Sequence, residues 1–142
     1  MLVNISYNDK SLFERINNEV GKPFNLWERL KMNGTGSPKL FITSSSLQIR
    51  NLLTLDNNIN TCNIEIRPKG IIIRFRSLLE TYALIIPYYK LSLYKGRAQE
   101  YSIHRDHYHI KVAAKTKETH EFMRKILDKK SDLSSHFLDD YN

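Results

Sequence analysis

The clearest alternation in the chain lies on either side of Pro68-Lys69. Thr61-Cys62-Asn63-Ile64-Glu65-Ile66-Arg67 precedes it and Gly70-Ile71-Ile72-Ile73-Arg74-Phe75-Arg76 comes after it. A tight turn that sets Arg67 opposite Gly70 makes Ile66 meet Ile71, Ile64 meet Ile73 and Cys62 meet Phe75, because side chains on a strand alternate between faces. Asn63, Arg67, Arg74 and Arg76 then share the other face. A slip of one residue would push Arg74 and Arg76 into the core, so one register satisfies both strands. The pairing predicts an antiparallel hairpin with one buried face and one cationic face.

Before this hairpin, Val3, Ile5 and Tyr7 alternate as a short strand. Asn8-Asp9 and the Ser11-x-x-Glu14 spacing mark a helix start, with Leu12, Phe13, Ile16 and Val20 on one stripe and Gly21-Lys22-Pro23 as its end. A second short helix carries Leu26, Trp27 and Leu30, and Asn33-Gly34-Thr35-Gly36-Ser37-Pro38 breaks the chain after it. Residues 1–38 therefore read as a helical extension packed on the β-rich remainder of the chain, with Trp27 as the anchor that docks it. Lys39 to Thr43 and Leu47 to Asn51 read as a hairpin, with a short helix through Ile49, Leu52 and Leu53 as the alternative.

After the central hairpin, Tyr82 to Pro87 and Lys90 to Tyr94 are strands, and Lys95-Gly96-Arg97 is a turn. A two-residue turn at Arg105-Asp106 joins Tyr101–His104 to His107–Val112, with Tyr101, Ile103, Tyr108, Ile110 and Val112 inward. Thr116 caps a helix over 117–130 whose stripe is Phe122, Met123, Ile126 and Leu127, with Glu121 and Lys125 as an i,i+4 pair. Residues 131–142 end in Asp139-Asp140-Tyr141-Asn142 and read as a loose acidic tail.

Seven or eight antiparallel strands followed by one amphipathic helix resemble the pleckstrin-homology-like superfold, including GRAM-type domains and the PH-like domains of bacterial proteins. Leu40 to Ile49 looks like the opening strand pair of GRAM-type domains. Tyr108 to Ala114 with Thr116 to Leu127 looks like a last strand running into the closing helix. Gly70 to Phe75 followed by Ile85-Ile86-Pro87-Tyr88 is similar to the bacterial pattern of a glycine, an apolar strand and a strand ending at proline-aromatic. The resemblance covers residues 39–130. It lacks the tryptophan usual in the closing helix of eukaryotic members, with Phe122 or Met123 in its place. It implies an α+β, mainly β domain: an antiparallel barrel or sharply bent sheet with a closing C-terminal helix. In function it implies a non-catalytic binding or scaffolding module that engages an anionic or protein partner through the cationic sheet face, with a nucleic-acid-binding or histidine-cluster metal-binding protein as the alternative.

The 142 residues fall in the single-domain range and suffice for a core without disulfide or metal. No apolar run approaches the roughly 20 residues of a membrane span, the N-terminus has no signal-peptide pattern, and Cys62 is the lone cysteine. The expected address is a bacterial cytoplasm. Twenty-two basic against fifteen acidic side chains give a net charge of +7. The excess lies in the sheet region, where residues 61–117 hold eleven basic and four acidic side chains. A polyanion (nucleic acid, anionic lipid or an acidic protein) is the partner class such a field attracts.

Two clusters carry candidate chemistry. Arg67, Lys69, Arg74 and Arg76 form a candidate anion site; Lys69, Arg74 and Arg76 resemble the motif with which some PH domains hold phosphoinositide headgroups. The alternation aims two guanidinium groups to one side as a fork for phosphate oxygens. The structural alternative is solvated arginines paired with Glu65 or Asn63. The region lacks the aromatic platforms of an RNA-recognition strand, although Tyr88, Tyr89 and Tyr94 lie near basic residues. His104, His107 and His109 form the second cluster: a turn at Arg105-Asp106 would set His104 opposite His107 and give three imidazoles a chance to share a divalent metal. Solvated histidines on an outer strand face are the ordinary alternative. Cys62 sits on the apolar face as a buried hydrophobe. Gly34 to Lys39 superficially resembles a phosphate loop but lacks the Gly-Lys-Ser/Thr ending and leads into a strand. No paired carboxylates or Ser-His-Asp spacing indicate an enzyme, no cofactor motif is present, and a homo-oligomer stays open.

Overall fold

The computed structural model describes residues 1–55, 60–97 and 99–141, with side chains through residue 133. The chain runs β1 (Leu2–Asn4), α1 (Lys10–Val20), α2 (Leu26–Lys31), β2 (Leu40–Ser45), α3 (Leu47–Thr54), β3 (Thr61–Arg67), β4 (Gly70–Ser77) and β5 (Glu80–Pro87). A single 3-10 turn at Tyr88–Lys90 leads to β6 (Ser92–Lys95), β7 (Glu100–Arg105), β8 (Tyr108–Ala113) and α4 (Lys117–Tyr141). The architecture is α+β: one antiparallel sheet of eight strands, ordered β1-β5-β4-β3-β2-β8-β7-β6, with a C-terminal helix. The sheet is open, with β1 and β6 at its edges.

The β3–β4 hairpin has the register that its alternation demands. Cys62 pairs with Phe75, Ile64 with Ile73, Ile66 with Ile71 and Arg67 with Gly70. The apolar pairs of this set face inward and join the main core, together with Leu84, Ile86, Ile103, Ile110 and Val112 from β5, β7 and β8. The bend sits at β2. Its Leu40–Phe41 end pairs with β3, its Ile42–Ser45 end pairs with β8, and the register slips between Ile42 and Ser44. Such an irregularity turns a strand and increases its twist.

A second core lies on the opposite face of β4 and β5. Ile72, Ala83 and Ile85 are buried there against Ile16 and Val20 of α1, with Met1, Val3, Ile5 and Leu12 around them. The outward face of the central hairpin is therefore covered over part of its length, which corrects the expectation of an open cationic face. The continuous runs Gly70–Ile73 and Ala83–Ile86 are the sequence mark of strands buried on both sides. Helix α1 starts at Asp9, whose carboxylate accepts from the Leu12 amide, and stops at Gly21 with φ +87°. Gly70 has no room for a side chain: a Cβ there would lie 2.6 Å from Val20 Cγ1 and 2.7 Å from Pro87 Cα, and closer still to the Ile86 carbonyl oxygen.

Three other elements differ from expectation. Residues 47–54 are the helix α3, the alternative that Ile49, Leu52 and Leu53 left open, and not the second strand of a hairpin, so Leu40–Ile49 is a strand and the start of a helix; Ile49 and Leu53, four apart, are both buried. Helix α4 begins with Thr116 Oγ1 accepting from the Thr119 amide and buries Phe122, Met123 and Ile126, while Leu127, expected on the same stripe, lies at its border and is 41% exposed; the backbone continues past residue 130 to Tyr141. The segment expected as a loose tail is thus helical as far as it is described, and Asn142 lies outside the described residues. Lys125 does not pair with Glu121, which is 3.7 Å from Lys117 instead; its ammonium donates to the Met32 and Gly34 carbonyls. Finally, Trp27 is not the anchor of the extension: it is 74% exposed, while Phe24 and Met32 on either side of α2 make the contact with the main core.

Two substitutions measure these contacts. Phe122→Ala should lower unfolding free energy by about 3–4 kcal/mol through lost burial and the cavity left behind. Gly70→Ala should destabilise by about 1–3 kcal/mol or more, since backbone atoms must shift. Chemical denaturation checks both, and a wild-type midpoint for either would contradict the packing described.

Candidate anion-binding cleft

The outer face of β3–β5 divides where α1 ends its cover. Toward the Pro68-Lys69 turn the face is closed by Ile16 and Val20. Toward the other end, Thr61, Asn63, Arg74, Arg76 and Thr81 line an open cleft of about 720 Å³ with Ser37, Lys39, Leu78 and Leu79. Strand register places these groups: Asn63 is opposite Arg74, and Arg76 is opposite Thr81. Lys39 reaches the same cleft because the segment before β2 runs alongside β3. The Ile66 amide donates to the Thr35 carbonyl at 2.8 Å, the Ser37 amide to the Ile64 carbonyl at 2.8 Å, and Gly36 bridges Glu65.

Charge on this face is organised by Glu65. Its Oε2 pairs with Arg67 Nε and its Oε1 lies 2.7 Å from an Arg74 terminal nitrogen. Burial alone would raise the Glu65 carboxyl, but the Arg67 hydrogen bond and charge, and then Arg74, outweigh it and hold it below the usual value. Arg67 also donates through Nη1 to Asn17 Oδ1 at 3.0 Å and to the Gly21 carbonyl at 2.9 Å. With its side chain 8% exposed, Arg67 fastens α1 to the sheet and is withdrawn from any ligand. Arg74 is half-buried and oriented by Glu65. Arg76 and Lys39 are exposed and make no ion pair among the described residues.

The candidate anion set therefore separates. Arg74 and Arg76 come together in the cleft. Arg67 is structural. Lys69 is exposed in the turn at the other end of β4, seven residues from Arg76 and so roughly 20 Å away at the rise of a strand. Lys39 was missed, because its position depends on a non-strand segment pairing with β3, which no periodicity announces. Its alternation with buried Leu40 was the available signal.

The histidines separate too. The turn is Asp106-His107, one residue later than expected, so Arg105 pairs with Tyr108 and His104 with His109. Asp106 takes φ +51°, a left-handed conformation that a short polar side chain tolerates and a two-residue hairpin requires. The His104 and His109 rings stack at 5.4 Å, while His107 lies against Tyr108 at 4.3 Å. His104 is held below its ordinary pKa by burial and by neighbouring His109 and Lys111. Among the described residues no three His, Cys, Asp or Glu side chains gather where they could hold a metal ion. Burial pushes the Cys62 thiol up to about 12, so it stays protonated at neutral pH.

No protein-family model, no curated protein and no solved structure matches this chain. No helix among the described residues is long and apolar enough to cross a membrane.

The Glu65 network generates a pH prediction. A carboxylate whose folded pKa is depressed contributes stability that is present above its unfolded value, near 4.5, and lost as pH falls through the folded one. The melting temperature should fall on acidification below about pH 5. Glu65→Gln should lower it at neutral pH and flatten that acid dependence; an unaltered pH profile in the variant would remove Glu65 from this role.

Proposed function

We propose that this protein is a non-catalytic binding module of PH-like build that takes a phosphate-bearing anion into the cleft of Lys39, Arg74 and Arg76. What carries the reading is that Arg76 and Lys39 make no ion pair among the described residues and stand beside an Arg74 already oriented by Glu65. Two guanidinium groups on alternate residues of one strand offer planar donors for phosphate oxygens, and Ser37, Thr61, Asn63 and Thr81 add neutral donors around them. The PH-like assignment is supported by two successive meanders, β2–β5 and β6–β8, joined through β2 and β8 and followed by a helix on the core. A nucleic acid fits less well. Among the described residues that line the cleft the one aromatic is Phe75, which is buried in the core, and the exposed Phe41 opposite Thr61 is a single ring where base stacking along a strand uses several.

The test is titration with inositol hexakisphosphate, and separately with a single-stranded oligonucleotide, at low salt. Replacing Lys39 and Arg76 by Gln should weaken the inositol phosphate by about tenfold or more while leaving the melting temperature nearly unchanged, since exposed charges contribute little to folding. Lys115, Lys117 and Lys129 changed together to Gln supply the control, removing more charge elsewhere on the chain. Equal losses in the two variants would mean that net charge attracts the anion without a site. Absence of wild-type binding to either probe would end the anionic reading.

A further inference from the structure

Helix α2 is built with its apolar side outward. Leu26, Trp27 and Leu30 are 73%, 74% and 64% exposed, and none of its six residues is buried. The helix is nonetheless well fixed. Asn25 and Glu28 form a reciprocal capping box, Lys125 of α4 donates to the Met32 carbonyl at 2.8 Å, and the Lys129 ammonium sits 5.8 Å over the Phe24 ring. Its attachments are polar or come from the flanking residues Phe24 and Met32, so the three large apolar side chains contribute little to the fold and remain presented to solvent.

We propose that the α2 face is a membrane-docking wedge that sets Leu26, Trp27 and Leu30 into the interface of an anionic bilayer. The charges around it choose the partner. Exposed Lys22, Arg29 and Lys31 flank the apolar stripe, and the one acid in the helix, Glu28, accepts from the Asn25 amide in the cap. A short amphipathic helix with cations beside an apolar stripe is held to anionic lipid by both terms at once, and an indole favours the headgroup level. A second copy is the poorer occupant. A two-fold contact would bring the same cations together, and three side chains fall far short of the roughly 800 Å² per partner of a stable interface. This surface lies apart from the Lys39–Arg76 cleft and is independent of the ligand assigned to it.

Trp27 is the chain's sole tryptophan, so its emission reports on this face alone. Vesicles of equimolar phosphatidylcholine and phosphatidylglycerol should shift its emission to the blue and protect it from acrylamide, and a bilayer-embedded quencher should quench it. Phosphatidylcholine vesicles should do none of these. Leu26→Ser with Leu30→Ser should weaken partitioning at least about tenfold, and Arg29→Gln with Lys31→Gln about thirtyfold at low salt, the loss expected for two cations beside an anionic surface. The Lys39/Arg76 double variant should still dock Trp27, which separates this outcome from failure of the cleft. Three results would overturn the wedge: no wild-type shift on anionic vesicles, undiminished partitioning of the leucine variant, or a blue shift that grows with protein concentration in the absence of lipid.

Discussion

Gly70, Ile71, Ile72 and Ile73 are all buried, so the first half of β4 needs cover on both faces. The inner face is closed by the bent sheet with α3 and α4, and the outer face by α1 and β1. Burying a side chain the size of isoleucine contributes about 1.5–3 kcal/mol, so leaving Ile72, Ala83 and Ile85 to water would forfeit several such contributions. The N-terminal segment is accordingly a working layer of the sheet. At Gly70 helix α1 presses on the sheet, since Val20 and the backbone of the neighbouring strand at Ile86–Pro87 leave no room there for a Cβ.

The charged groups at the border of that cover obey a different rule. Arg67 lies under the end of α1, and a buried guanidinium demands a full set of acceptors. Glu65, Asn17 and the Gly21 carbonyl supply them. Glu65 in turn fixes Arg74 at the edge of the covered zone. The same carboxylate thus secures the packed half of the face and orients the first cation of the open half. Beyond it, Arg76 and Lys39 line the cleft beside Arg74 and make no ion pair among the described residues, whereas the Arg67 end is closed by α1.

Helix α2 shows the converse arrangement. Where Arg67 is polar and enclosed, Leu26, Trp27 and Leu30 are apolar and open, on a helix whose attachments are made by a lysine and by flanking residues. Isolated apolar side chains on a surface are ordinary; three together on a capped helix turn are better explained by a surface they enter.

Local alternation was enough to determine the β3–β4 register, the inward set of β7 and β8, and the stripe of α4 apart from Leu127 at its border, because period and burial are written in adjacent residues. The same is true of Cys62, which the alternation places inside. What sequence alone left undecided depends on contacts between distant segments. Whether Ile72 faces water or α1, whether Arg67 binds a ligand or Gly21, and whether Lys39 joins Arg76 each rest on pairings spanning tens of residues. The two apolar runs at 70–73 and 83–86 did record that both faces needed cover, but not which element would supply it. Residues 47–54 and Trp27 show the limit most clearly: a run of leucines and isoleucines fits a strand or a helix equally well, and an amphipathic turn does not say which way it points. Tertiary packing decides both, because the core has room for Ile49 and Leu53 on one side of a helix, while Phe24 and Met32 already hold the contact that Trp27 would have made.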